Sequence, residues 1–470
     1  MENKTVYLMG IGGMGMVALA GLFKAKGWQV TGSDKGEIYP PASTELEHLS
    51  IKAIAGYDAK NITKDLDLVI VGNVISKGHP EYERVLELKI PYTSMAQALG
   101  EYFVQDKSSV VVCGTHGKTT TASLMAYILN QLGEDPGFFI GGIPHQFKQG
   151  YQLGQGQYFV LEGDEYDTAC FEKTPKFLHY KTQHLLLTSI EFDHADIYES
   201  LAQIKDQFRK LFEQISDNKA MVVCGDDQNI RMLMQEYPDK QFISYGERES
   251  NDWYVKDYTY QGDGIFCYEF YKQDEKLATI KTKMMGKHNA INALGCMALC
   301  ETMGLDLQKV AQAIGSFEGV TRRQQHLSSH GQVHIYDDFA HHPTAVEKTL
   351  AAFKPIAQKN GGKLWALFEP RSNTSRRNTF QNDWPIAFKE ADVVLMTKVY
   401  EKADGLKDKL DVQKLKEDLQ AQGKTVFLPQ NKEELVQLVT SHAKAGDTLL
   451  FMSNGDFGNA REAVVEHYQS

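Results

Sequence analysis

Short apolar runs, each closing on small or polar residues and followed by a helical repeat, set the rhythm of this chain. Thr5 to Met9 is the first, and it runs through Gly10-Ile11-Gly12-Gly13-Met14-Gly15 into a helical pattern that reaches Lys26. Gln29 to Asp34 reads as a strand ending in an acid, and Asp67 to Gly72 as another, ending at Asn73 and Ser76. Ser94 to Ser108 reads as a helix and a polar connection. Val110 to Cys113 is apolar throughout, as strands buried on both faces are. It leads through Gly114-Thr115-His116-Gly117 to Lys118-Thr119-Thr120 and a helical pattern from Ala122 to Leu132. Tyr158 to Leu161 ends in Glu162-Gly163-Asp164-Glu165, and His184 to Thr188 runs on to Glu191-Phe192-Asp193-His194. The glycine-rich stretch Phe138 to Phe147 predicts a loop, and Gln241 to Lys283 predicts antiparallel strands. A helix of small residues opens at Gly286-Lys287-His288-Asn289. Further strands are predicted at Val333 to Tyr336, Leu364 to Phe368, Val393 to Met396 and Thr448 to Met452, with a helix over Ala345 to Phe353. Alternating strands and helices define doubly wound parallel sheets. The expected architecture is α/β in three domains, residues 1–107, 108–318 and 319–470.

Composition narrows the chemistry only slightly. Hydrophobic residues make up 42% and charged residues 24% of the 470, an ordinary globular balance. The net charge of -11 comes without a long basic run, which argues against nucleic acid as a partner. Six scattered cysteines with no CxxC pattern predict free thiols and a reducing, cytoplasmic setting. Met1 to Lys4 leads directly into a strand, so neither a secretory signal nor membrane insertion is expected.

The strongest chemical signal is the stretch from Val110 to Ala122. Strand, glycine turn, Lys-Thr and helix are the parts of a phosphate-binding loop, whose backbone N–H groups point at an anion. Here the form is short, Gly114-x-x-Gly117-Lys118-Thr119, with Val112 where the general pattern has a glycine. The central domain is therefore expected to be a P-loop ATPase-like α/β unit that takes ATP and Mg²⁺ along Gly114, Thr115, His116, Gly117, Lys118, Thr119 and Thr120. Lys118 would neutralise the terminal phosphates and Thr119 would ligate the metal, with Glu162 and His194 the best further metal candidates. Gly10 to Gly15 between strand and helix, with Asp34 closing the next strand, is the Rossmann-like dinucleotide pattern. It predicts a nucleoside diphosphate without saying which. The last third predicts a second Rossmann-like α/β domain. Its histidines, His341 and His342, lack zinc-like spacing and are expected to serve substrate contacts or structure. An NAD-dependent dehydrogenase fused to an ATPase, or a regulatory nucleotide-binding protein, would share the glycine turns.

Gly10 to Gly15, Gly114 to Thr121, Glu162 to Asp167, His194, His288-Asn289, Arg322-Arg323, Asp337 to Thr344 and Ser453 to Gly458 together resemble the Mur ligases of bacterial cell-wall synthesis, over essentially the whole chain. The resemblance implies an ADP-forming amide ligase that activates a carboxylate of UDP-N-acetylmuramate as an acyl phosphate, then presents it to an amine. It places Lys118, Glu162, His194, Arg323 and His342 in catalysis, and Thr119, Glu162 and His194 at metal. Asn289 would face adenine, Arg323 the γ-phosphate and Asp338 the ribose. Gly12, Gly13, Met14 and Asp34, with Asn73 and Ser76, would serve the UDP-sugar, and Arg371, Asn373, Ser453 and Asn454 the acceptor. Domain closure would then complete the site, in a monomer or weak homodimer.

Within that family two acceptors come into question. Glu162 to Phe171, Lys176 to Tyr180, Glu191 to Asp196, Tyr336 to Thr344 and Glu369 to Thr374 resemble the member that recycles a peptide, L-alanyl-γ-D-glutamyl-meso-diaminopimelate. Members that add L-alanine carry Gln-Pro-His-Arg-Tyr-x-Arg at the last place, and here Ser372 and Ser375 stand where its arginines would be. The turn Gly10 to Gly15 is nearer the alanine-adding form but would contact the UDP-sugar that both members share, so it says little about the acceptor; addition of L-alanine stays as the alternative.

Overall fold

The computed structural model describes residues 4–193, 197–262, 264–402 and 405–469. His194, expected at a metal, lies outside the described residues. The chain divides into two compact units, one of residues 1–191, 200–245 and 295–310 and one of 192–199, 246–294 and 311–470.

The first unit holds two large sheets and a two-stranded antiparallel pair, Asp167–Ala169 with Glu172–Pro175. Its amino-terminal sheet has five parallel strands in the order Ala53–Ala55, Gln29–Asp34, Thr5–Met9, Leu68–Val71, Tyr92–Ser94. Leu68-Val69-Ile70-Val71 is wholly buried because helices cover the sheet. The helices Met14–Ala25 and Pro80–Leu88 are among them. Strand order reverses between Thr5–Met9 and Leu68–Val71, and the loops leaving those neighbours diverge to open a crevice at their carboxyl ends. The glycine turn and Asn73 both leave strands at that edge.

The second sheet of this unit is built on Ser108–Cys113, flanked in parallel by Tyr158–Gly163 and His184–Leu187. Met221–Cys224 and Phe242–Gly246 extend it in parallel on one side, and Gly137–Phe139 on the other. The predicted loop at Phe138 thus begins as a strand, because Phe138 and Phe139 are apolar enough to be buried beside Val160 and Leu161. Phe242–Gly246, expected to be antiparallel, is parallel for the same reason: it pairs with the buried strand Met221–Cys224.

In the second unit, Trp253–Gly262, Ile265–Lys272 and Glu275–Thr282 form antiparallel pairs. The carboxyl-terminal sheet runs Gln325–Ser328, His334–Asp338, Thr448–Met452, Leu364–Phe368, Val393–Met396, Thr425–Phe427, parallel except at its first strand. Leu364, Ala366 and Phe368 face one apolar cluster with the helix Pro343–Lys359, whereas Trp365 and Leu367 face another. That two-sided burial is why Leu364–Phe368 has no polar residue until Glu369.

Candidate active site

The phosphate loop is shaped by what it crowds against. Gly114 has φ +125°, and a Cβ there would lie 2.3 Å from Thr188 Oγ1 and 2.8 Å from Ser189 N and O. Only glycine fits, both in conformation and in space. The next strand's end then holds the loop, since Thr115 N–H donates to Ser189 O at 2.9 Å and Thr188 Oγ1 to His116 O at 2.6 Å. His116 Nε2 meets Glu191 Oε2 at 3.1 Å. Gly117, at φ +81°, precedes the helix Lys118–Gln131, whose amino-terminal N–H groups favour an anion. Thr120 lies in its first turn.

Lys118 is buried, and its Nζ donates to Gly114 O at 2.6 Å and to Glu165 Oε2 at 2.8 Å. Burial by itself would lower its pKa, but the carboxylates of Glu165 and Asp164 prevail and hold it above the ordinary lysine value. Parallel pairing sets Val112 beside Glu162, which brings that carboxylate to the loop. Thr119 Oγ1 donates to Glu162 Oε1 at 2.7 Å, and Gly141 N–H to Glu162 Oε2 at 2.8 Å. Burial raises the Glu162 pKa, as does Asp164, against the opposing pull of Lys118, Thr119 and the Gly141 N–H. The loop, its lysine and an adjoining hydroxyl–carboxylate pair fit a nucleotide triphosphate with a divalent ion. Glu165 lay in the acidic cluster without an assigned part, and only the fold reveals it as the partner of Lys118.

At the amino-terminal sheet, Gly10 and Ile11 N–H groups donate to Ser33 O, and Gly12 N–H donates to Asp34 Oδ2 at 2.8 Å. Asp34 therefore braces the glycine turn, with Lys35 N–H on its other oxygen at 2.7 Å. Gly13 precedes the helix Met14–Ala25, and Met14 is exposed. Asn73 Nδ2 donates to Asp167 O at 2.6 Å, while Ser76 is exposed with its carbonyl accepting from His79.

In the second unit, Asn289 and Asp338 meet at a residue that no motif singled out. Gln324 N–H donates to Asp338 Oδ2 at 2.8 Å, and Asn289 Nδ2 donates to Gln324 Oε1 at 3.1 Å. Burial raises the Asp338 pKa, opposed by the Arg323 charge and two backbone N–H groups. Arg323 packs over Phe339 at 4.8 Å from the ring centre. His342 caps the helix Pro343–Lys359 by accepting from Thr344 N–H at 3.3 Å, its ring against Phe380. A further group gathers on buried Glu369. Ser453 Oγ donates to Glu369 Oε2 at 2.6 Å, and Arg371 lies 3.7 Å from Oε1 and 3.0 Å from Asp456 Oδ1, stacked on Tyr400. Asn454 Oδ1 is buried and meets no donor among the described residues. Asn373 stands apart from this group, accepting from Lys402 at 2.9 Å. Ser372 and Ser375 face each other, Oγ to Oγ at 2.9 Å.

Comparison with known proteins finds family matches between residues 5 and 455. Residues 5–106 match the Mur ligase family catalytic domain, 112–300 the Mur ligase middle domain and 322–455 the Mur ligase glutamate ligase domain. The chain is 36% identical over 465 residues to the UDP-N-acetylmuramate--L-alanyl-gamma-D-glutamyl-meso-2,6-diaminoheptandioate ligase of Escherichia coli strain K12, covering 98% of this chain and 97% of that one. It is 30% identical over 468 residues to the UDP-N-acetylmuramate--L-alanine ligase of Acetivibrio thermocellus, covering 99% and 96%. Among solved structures, a murein peptide ligase from Psychrobacter arcticus is 31% identical with a TM-score of 0.69, covering 99% of this chain and 98% of that one. The UDP-N-acetylmuramate-alanine ligase of Thermotoga maritima is 25% identical with a TM-score of 0.80, covering 99% of each. The chain belongs to the Mur ligase family. It is an ATP-dependent, ADP-forming ligase, and it is similar over its full length to the ligases that join a peptide to UDP-N-acetylmuramate. No helix among the described residues is long and apolar enough to cross a membrane.

Proposed function

We propose that this enzyme joins UDP-N-acetylmuramate to the tripeptide L-alanyl-γ-D-glutamyl-meso-diaminopimelate in recycling of cell-wall peptide, working through three domains with boundaries near residues 107 and 318. The observation that carries the choice of acceptor is the pair Ser372 and Ser375. Both hydroxyls are buried and engaged with each other, so the two positions at which an arginine clamp would hold a free amino acid's carboxylate carry no charge, and the neighbouring Arg371 is displaced by one residue and turned to Glu369 and Asp456. The full-length likeness to the Escherichia coli ligase supports the same reading.

A carboxylate is a poor electrophile, and phosphorylation makes it a good one. The lactyl carboxylate attacks the γ-phosphorus of ATP to give an acyl phosphate and ADP. The peptide's free amine then displaces phosphate and loses a proton. Lys118 holds charge on the transferring oxygens, the electrostatic role that dominates phosphoryl transfer. Thr119 and Glu162, with His194, would hold Mg²⁺, and the ion would supply Lewis acidity at the phosphate oxygens. Gly114 to Thr120 supply the backbone cradle. Arg323 serves the γ-phosphate, Asp338 the ribose and Asn289 the adenine, while His342 contacts substrate. Gly12, Gly13, Met14, Asp34, Asn73 and Ser76 hold the UDP-sugar, and Arg371, Asn373, Ser453 and Asn454 hold the peptide.

The test is ADP release with UDP-N-acetylmuramate and ATP, comparing tripeptide, dipeptide and L-alanine at equal concentration. Tripeptide should exceed L-alanine by at least about a hundredfold in kcat/KM, the discrimination a polar site achieves against a ligand lacking its partners. Equal or reversed preference would move the enzyme to addition of L-alanine.

A further inference from the structure

Gln324 sits between the groups that the reading above assigns to the adenine and the ribose. Its main-chain N–H holds Asp338 Oδ2 at 2.8 Å. Its side-chain amide meets Met285 N–H at 3.2 Å, Asn289 Nδ2 at 3.1 Å and His288 Nε2 at 3.3 Å. The backbone dictates the polarity of this network. Met285 N–H can only donate, so it must face the carbonyl Oε1 of Gln324, which leaves Nε2 to His288. That ring is buried beside Gln324, and desolvation, reinforced by Lys348, pushes its pKa down to about 3. Neutral His288 therefore offers an acceptor nitrogen to the amide.

The consequence falls on Asn289. Met285 C=O can only accept, and Asn289 Nδ2 donates to it at 2.8 Å as well as to Gln324 Oε1. An amide carries two N–H hydrogens, and both are engaged here. What Asn289 has left to present is its carbonyl oxygen. An acceptor at a purine's six-position edge pairs with an amino group and repels a carbonyl.

We propose that Gln324 sets the base selectivity of the nucleotide site, holding the Asn289 amide in the one orientation that accepts a 6-aminopurine and rejects a 6-oxopurine. The inference rests on the placement of Asn289 beside the base. Gln324 acts through Asn289 and is a positioning residue.

The test is equilibrium binding of non-hydrolysable ATP and GTP analogues to the full chain, with Mg²⁺, which needs no knowledge of the acceptor. Wild-type protein should prefer the ATP analogue by about tenfold or more, and Q324L should lose most of that preference through weaker ATP binding. UDP-N-acetylmuramate affinity should not move, which separates the effect from general damage. Q324E keeps the acceptor oxygens for Met285 and Asn289, while His288 need only place its proton on Nε2, so the preference should survive. Retained preference in Q324L, or its loss in Q324E, would overturn the assignment. N289A separates the premise from the inference. If N289A and wild type discriminate equally, or wild type does not discriminate, the placement of Asn289 is wrong; if N289A loses the preference and Q324L keeps it, only the role of Gln324 falls. Should Q324L fail to fold, Q324M removes the same hydrogen bonds at nearly the same length and takes its place.

Discussion

Gly114→Ala is the most direct probe of the phosphate loop. An added Cβ would lie 2.3 Å from Thr188 Oγ1 and 2.8 Å from two backbone atoms of Ser189, on a residue at φ +125°. The backbone strain of a side chain in that region is about 1–3 kcal/mol. Forcing an extra carbon into a packed site adds about 1–3 kcal/mol more, and backbone atoms cannot rotate away as a side chain can. The loop can escape only by moving off Ser189, which carries the Lys118 anchor with it, because Lys118 Nζ donates to Gly114 O. If 2 kcal/mol of that strain is relieved by abandoning the binding conformation, affinity for a non-hydrolysable ATP analogue falls about thirtyfold. Calorimetric titration measures this directly, with UDP-N-acetylmuramate as the internal control. Gly133→Ala, past the other end of the same helix, is the matched comparison. Gly133 also has a positive φ, +83°, but nothing lies within 4 Å of its added Cβ. It should lose about 1 kcal/mol of stability and no ATP affinity. Wild-type ATP affinity in Gly114→Ala, or an equal loss in Gly133→Ala, would refute the argument that crowding against Ser189 shapes the loop.

Lys118→Ala should lower amide formation by about a thousandfold or more, the scale of losing a group that stabilises transition-state charge. UDP-N-acetylmuramate binding, measured by titration, should remain. His288 predicts a pH effect on stability. Its folded pKa of about 3 lies below its ordinary value of 6.5, so the unfolded chain takes up the proton first. Stability is full above pH 6.5 and is lost progressively as pH falls toward 3, by about 2 kcal/mol between pH 7 and pH 5. Denaturation midpoints at those two pH values should separate in wild type, and the separation should narrow in His288→Gln without vanishing, because burial also lowers the His184 pKa to about 4; an unchanged separation would exclude His288 as a source.

The α/β architecture was legible because buried parallel strands announce themselves as uninterrupted apolar runs, as Val110 to Cys113 and Leu364 to Phe368 do. The rule fails where it competes with others. Phe242–Gly246 precedes aromatic antiparallel strands of similar composition and yet runs parallel to its neighbour, because β-forming residues alone do not carry a direction. The Glu369 group was legible only in pieces, since Ser453 and Glu369 stand 84 residues apart and meet because their strands are neighbours.

What the amino-acid sequence determined by itself is whatever consecutive residues can enforce. The turn from Gly114 to Thr119 is local, and its left-handed glycines, its lysine and its helix start are written side by side. Gly10 to Gly15 is local in the same way, a turn begun at left-handed Gly10 and running into a helix start. Tertiary structure alone decided which side chains face one another. Strand order set Glu162 beside Val112 and let Glu165 reach Lys118. Packing of the helix after Gly286 against the segment at Arg323 put Gln324 between Asn289 and Asp338. Those pairings depend on distances across sheets and between helices, and a hydrogen bond between residues far apart in sequence leaves no mark on the local pattern of either.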